Sequence, residues 1–136
     1  MSATTHAPAA PSPLPRSLSQ RLAEYAHGFD AGAVPPQVLD AARRCILDAL
    51  GIAFASTRFE FAQRSAAGIG ALAGRGEHVL VGMRERWSLR DAALLNGILI
   101  HGLDYDDTHP ASVVHATASA LPVVLGGDHS VTEPSL

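Results

Sequence analysis

The 136-residue chain is 47% hydrophobic and 17% charged, which suits one domain with a modest core and excludes a chain disordered throughout. Its formal net charge of -3 and pI near 6.1 supply no basic stripe, so nucleic acid is not an expected partner. All ten basic residues are arginines, which excludes lysine Schiff-base and P-loop chemistry within the chain.

Residues 1–16 are rich in Ala, Pro, Ser and Thr without periodicity and are expected to form a flexible arm in which His6 is solvated. This start lacks the charged-then-apolar order of a signal peptide. No later run approaches the ~20 apolar residues of a membrane span, so no membrane partner and a cytoplasmic location are expected. From Ser17 a helical pattern begins, which Ser17 or Ser19 can cap, with Leu18, Leu22, Tyr25 and Ala26 on one face, and His27 and Gly28 end it. A second helix is expected after Val34, with Pro35 and Pro36 suited to its first turn. Leu39, Ala42, Ile46, Ala49, Leu50 and Phe54 form its apolar stripe. Cys45 within it has no internal disulfide partner and reads as a reduced, buried thiol. Asp48 reads as a surface carboxylate.

Phe59 to Ala73 is a third helical segment, whose Ala and Gly residues allow close helix approach. Gly74 to Gly76 reads as a turn, because the lysine and hydroxyl of a phosphate loop are missing. His78 to Val81 is a β-branched run that predicts one short strand near Val79 to Val81, bounded by Gly82. Arg84, Glu85 and Arg86 read as a solvated loop. Trp87 occupies the staple position before Ser88, and Ser88 with Asp91 has capping-box spacing.

The chain is organised around Ser88 to Pro122. An apolar helix through Leu94, Leu95, Ile98, Leu99 and Ile100 runs into His101 and the acids Asp104, Asp106 and Asp107. If helix persists to Tyr105, His101, Asp104 and Thr108 share one face with Asp107 beside them. Pro110 ends the pattern, and His115 and Thr117 return on the next segment. The acidic cluster has three readings. Asp-x-Asp-x-Thr over Asp104, Asp106 and Thr108 matches haloacid dehalogenase-like phosphatases if ILIHGL is a strand, but the further Lys and Asp motifs are missing downstream. A metal site could draw on His101, Asp104, Asp107, His109 and His115. In the third reading Asp106 and Asp107 are carboxylates that accept backbone hydrogen bonds at a helix end or turn.

The run LNGILIHGLDYDDTHPASVVHATASALP resembles the motif of the MmgE/PrpD family. LeuAlaGluTyrAla at Leu22 to Ala26, ValProProGlnVal at Val34 to Val38, LeuAspAlaLeuGly at Leu47 to Gly51 and ValLeuValGly at Val79 to Gly82 agree, in the same order. The resemblance implies an all-α, helical-bundle fragment over residues 17–125, followed by a divergent tail at 126–136 in which His129 has no site role. It implies a cofactor-free, metal-free lyase or isomerase (dehydratase, decarboxylase or epimerase) that removes a proton next to a carboxylate of a small polycarboxylic acid. Asp104, Thr108 and His115 align with catalytic positions, with a one-residue spacing difference before His115. His101, Asp107 and His109 are carried over as substrate-binding, with His109 the fallback for His115 and a basic loop at Arg84 to Arg86 able to face an acidic substrate.

Family enzymes are longer, with a second domain that carries a later histidine and substrate-binding lysines. The isolated chain is therefore expected to have little or no activity, and the alternative is a truncated helical fragment that only folds or associates. A homodimer is expected because Ala92 to Ile100 is nearly all apolar and would be poorly covered.

Overall fold

The computed structural model describes residues 16–126; the expectations for the arm and the tail, with His6 and His129, lie outside them. The chain divides after Pro35 into two compact units. In the first, α1 (Leu18–His27) begins where Ser17 accepts from the Gln20 amide and the Gln20 side chain accepts from the Ser17 amide. The reciprocal bonds satisfy donors that a helix start leaves free. None of α1 is buried. Asp30 then caps a single 3-10 turn at Ala31–Ala33 by accepting from the Gly32 amide at 2.8 Å.

The second unit holds α2 (Pro36–Ser56), α3 (Glu60–Gly70), β1 (Arg75–Val79), β2 (Arg86–Trp87), α4 (Leu89–His101) and α5 (Ala116–Gly126). Pro36 opens α2, where its missing N–H costs nothing. No described helix is long and apolar enough to cross a membrane. The class is all-α, as the periodicity predicts, and the one sheet among the described residues is a two-stranded hairpin. The hairpin corrects three local expectations. Strand β1 starts at Arg75, so Gly74 to Gly76 is not simply a turn; Leu80 and Val81 fall after the strand; and Arg86 joins β2 instead of a loop. A strand needs a ladder partner, and Arg86–Trp87 supplies it. Both Arg75 and His78 register with Trp87, and a Cβ on the intervening Gly76 would collide with the Trp87 carbonyl, so this bulge requires glycine.

Helix α4 is the axis of the unit, packing against α5, α2, α3 and both strands. Its Ala92, Leu95 and Leu99 lie on one face at i, i+3 and i+7 and are buried, as is Ile100. Burial of each large side chain among them contributes ~1.5–3 kcal/mol. The segment Ala92 to Ile100 is thus covered by the chain itself, apart from the exposed Leu94, contrary to the sequence expectation. On α2 the buried line is Ala49, Ile52, Ala53 and Ser56, while Leu39, Ile46 and Phe54 of the expected stripe are exposed. Small residues win that face because they let α2 approach α4 closely. Cys45 is half-buried and Asp48 is exposed.

Two side chains of α4 tie it to the hairpin. Asp91 is buried and accepts from the Ser88 hydroxyl at 2.7 Å and from the Gly74 amide at 2.8 Å, with Arg90 beside it. The Ser88 hydrogen bond first, then that from Gly74 and the Arg90 guanidinium, hold its carboxyl below the usual range against the opposing effect of burial. Asn96, also buried, accepts from the Val81 amide at 2.9 Å and donates to the Val79 carbonyl at 2.9 Å. It thereby gives the end of β1 the pair of bonds that a neighbouring strand would give.

Helix α5 contains Pro122, which cannot donate to the Ala118 carbonyl four residues before it. That carbonyl abuts Gly97 of α4, where a Cβ would sit 3.3 Å from it. The glycine allows α5 to pack closely against α4 at this point.

Candidate functional site

Helix α4 ends at His101, not at Tyr105. The Gly102 amide closes the last turn on the Ile98 carbonyl, a Cβ at Gly102 would collide with Phe61, and Asp104 turns to φ 55°. That left-handed conformation is open to Asp but ends an α-helix. The single helical face expected for His101, Asp104 and Thr108 therefore does not form. The helical end also removes the strand that the phosphatase reading requires before Asp104. The chain then makes a tight loop, in which His109 and Val114 form an isolated bridge and Val113 adopts φ 52°. The loop returns His115 to the start of α5, against the end of α4.

The residues meet around Asp106. Its side chain is fully buried, and its two oxygens lie 3.1 Å from Nδ1 of His101 and 3.3 Å from Nδ1 of His115. A carboxylate out of water needs donors: Nδ1 of His101 is within hydrogen-bond reach of both oxygens, at 3.1 and 3.2 Å, and His115 adds a close contact. The rings stand edge to face with centroids 4.7 Å apart. Nε2 of His115 lies 3.9 Å from Oδ1 of Asp104, which is exposed. Thr108 Oγ1 is 3.5 Å from His115 Nδ1 and donates to the Asp106 carbonyl at 3.4 Å, both at the weak end of hydrogen-bond geometry.

His101, Asp104, Thr108 and His115 are therefore neighbours around Asp106. Asp107 and His109 are not. Asp107 lines a separate cleft of about 940 Å³ with Arg44, Cys45, Asp48 and Tyr105. His109 Nδ1 pairs with Ser112 Oγ at 2.8 Å within the loop, because the turn at Pro110 folds the loop back on itself. Of the five ligands in the metal reading, only His101, Asp104 and His115 converge, joined by Asp106, with one donor atom from each within 4.8 Å of the others. His101 already reaches both oxygens of Asp106 without an ion. Arg86 donates to the Glu77 carbonyl across the hairpin at 2.8 Å, a structural use. Asp106 is the residue that sequence reasoning undervalued: it reads as a turn carboxylate, and only the return of His115 shows that two imidazoles meet at it.

Beside the cluster lies a cleft of about 540 Å³ lined by His101, His115, Gly97, Ile98, Ala118 and Ser119 among others. Among the described residues lining it there is no arginine.

The family described as the MmgE/PrpD N-terminal domain matches residues 20–131. The chain belongs to that family. As an MmgE/PrpD chain it is 31% identical over 111 residues to cis-aconitate decarboxylase of Homo sapiens, covering 80% of this chain and 23% of that protein. The mouse (Mus musculus) cis-aconitate decarboxylase is 28% identical over 111 residues, covering 80% of this chain and 22% of the relative. The cis-aconitate decarboxylase-like protein oryM of Aspergillus oryzae is 26% identical over 108 residues, covering 79% and 22%. This MmgE/PrpD chain thus spans less than a quarter of the length of these relatives.

Proposed function

We propose that the chain carries a proton-transfer site for a cofactor-independent lyase or isomerase acting on a small polycarboxylic acid, of the kind that the cis-aconitate decarboxylases named above act on. The observation that carries this reading is His115, whose Nδ1 is held at the buried Asp106 while its Nε2 lies beside the exposed Asp104 at the edge of a cleft. An imidazole held in this way offers a donor on one nitrogen and an acceptor on the other, which suits a proton shuttle. In this reading His115 moves the proton next to a substrate carboxylate, Asp104 orients or relays it, and Thr108 donates to a substrate oxygen. His101 faces the same cleft as a binding group. Loss of carbon dioxide or water, or return of the proton, then completes decarboxylation, dehydration or epimerisation. Exposed apolar residues on α2 and α5, including Leu47, Phe54, Val123 and Val124, support a homo-oligomer.

The test incubates the purified protein with unsaturated and hydroxylated tricarboxylic acids in D₂O and follows deuterium uptake and product formation by NMR. His115→Gln and Asp104→Asn should each lower turnover by about 10²-fold or more, whereas Asp107→Asn and His109→Gln should retain it. Undiminished turnover in His115→Gln would refute the assignment. A second reading, a helical association segment without catalysis of its own, is favoured by the lack of an arginine among the described residues lining the cleft, since a polyanion needs cationic partners. Absence of exchange and turnover in the wild type, together with self-association in sedimentation, would favour it.

A further inference from the structure

We propose that Asp106 is a positioning residue that sets the tautomer of two imidazoles at once, so that His101 and His115 both carry their proton on Nδ1 and leave the Nε2 lone pair as the working atom. A carboxylate accepts hydrogen bonds and donates none. Its oxygens lie 3.1 Å and 3.3 Å from the two Nδ1 atoms, and its side chain is closed to water. Either imidazole in the other tautomer would turn a lone pair toward a buried anion, which is repulsive, and in the case of His101 would also leave the anion short of its donor. Thr108 gives its hydroxyl hydrogen to the Asp106 carbonyl, so the oxygen that it turns to Nδ1 of His115 at 3.5 Å is a second acceptor, and both neighbours of that nitrogen favour Nδ1–H.

The geometry fixes orientation as well as protonation. Nε2 of His115 then lies 3.9 Å from the exposed Oδ1 of Asp104, which water screens far more than the buried Asp106, and the His115 ring lines the cleft. His101, packed edge to face on His115 at 4.7 Å, is held by the same anion and limits rotation of the His115 ring. The kinetic consequence rests on the proposed proton-transfer role of His115; the tautomers do not, and they are read without substrate.

The experiment records long-range ¹H–¹⁵N spectra of the ¹⁵N-histidine-labelled protein about two pH units above the ordinary imidazole value of ~6.5. His101→Gln and His115→Gln assign the two rings. In the wild type both should show the Nδ1–H pattern. Asp106→Asn keeps the shape of the side chain but offers one carbonyl oxygen and one NH₂ group, so one ring should keep Nδ1–H and the other should switch to Nε2–H. The same variant should lower kcat on the order of 10²-fold or more, with KM little changed, as expected when a proton-transfer group is misdirected. A wild-type His115 with its proton on Nε2, or unaltered tautomers in folded Asp106→Asn, would overturn the proposal. If Asp106→Asn does not fold, the wild-type spectrum alone decides. A correct tautomer pattern in a protein that turns over no polycarboxylate would refute the functional reading and leave the positioning role standing.

Discussion

Replacement of Asn96 by alanine removes a helix side chain that stands in for a strand. The Val81 amide that bonds to it is buried, and an unsatisfied donor in such a place costs about 1–3 kcal/mol. Val79 is half exposed, so water can replace the bond to its carbonyl, and that loss is worth about 0.5–1.5 kcal/mol. Together, Asn96→Ala should destabilise the chain by about 2–4 kcal/mol, a large share of the ~5–15 kcal/mol of a typical domain. In urea melts followed by the helical circular dichroism signal, this should lower the midpoint by about 1–2 M without changing the slope. Asn96→Asp sharpens the test. It keeps the acceptor for Val81 but sets a carboxylate against the Val79 carbonyl, so its deficit at neutral pH should shrink when acid protonates that carboxylate and restores a donor. A loss below about 0.5 kcal/mol in Asn96→Ala, or a deficit in Asn96→Asp that is the same at both pH values, would refute the clamp.

Other expectations follow from single groups. Asp91 has its carboxyl held low in the folded state, so it stabilises the fold above the ordinary carboxylate range; that contribution should be lost as pH falls through the folded value and be missing in Asp91→Asn, as acid titration of unfolding will read. Ser56 is fully buried with no hydrogen-bond partner for its hydroxyl among the described residues, so Ser56→Ala should be neutral or stabilising by up to ~1 kcal/mol in thermal melts; a clear loss would reveal a partner. Gly97→Val should destabilise the α4–α5 contact by about 1–3 kcal/mol through overpacking against the Ala118 carbonyl, whereas an unchanged melting temperature would show that the helices can separate freely.

Helix starts were the most legible features, because a cap is a local event. Ser17 with Gln20, and Ser88 with Asp91, bond within three residues. The apolar run of α4 was legible as a run, but which of its residues are buried was not: Ala92, Leu95, Leu99 and Ile100 are, while Leu94 is exposed. Helix ends and partners were less legible. The stop at His101 comes from Gly102 against Phe61 and the left-handed turn at Asp104, which place distant residues in contact. Strand β2 has two residues, too few for a pattern, and exists through its pairing with β1. The same holds within the site: His115 and Asp104 carry a recognisable motif, but the choice among the three neighbouring acids depends on which one the returning loop buries. That one is Asp106, while Asp107 faces another cleft.

The ties between α4 and the hairpin also bear on the order in which the chain folds. Asp91 reaches Gly74 across 17 residues, and Asn96 reaches Val79 and Val81 across 17 and 15. Closing loops of this length costs little chain entropy, and contacts of short sequence separation form early. Gly74 to His101 is therefore suited to serve as the folding nucleus on which α5, and with it His115, later docks. Substitutions at Asp91 and Asn96 should slow refolding, whereas those at Gly97 should chiefly speed unfolding.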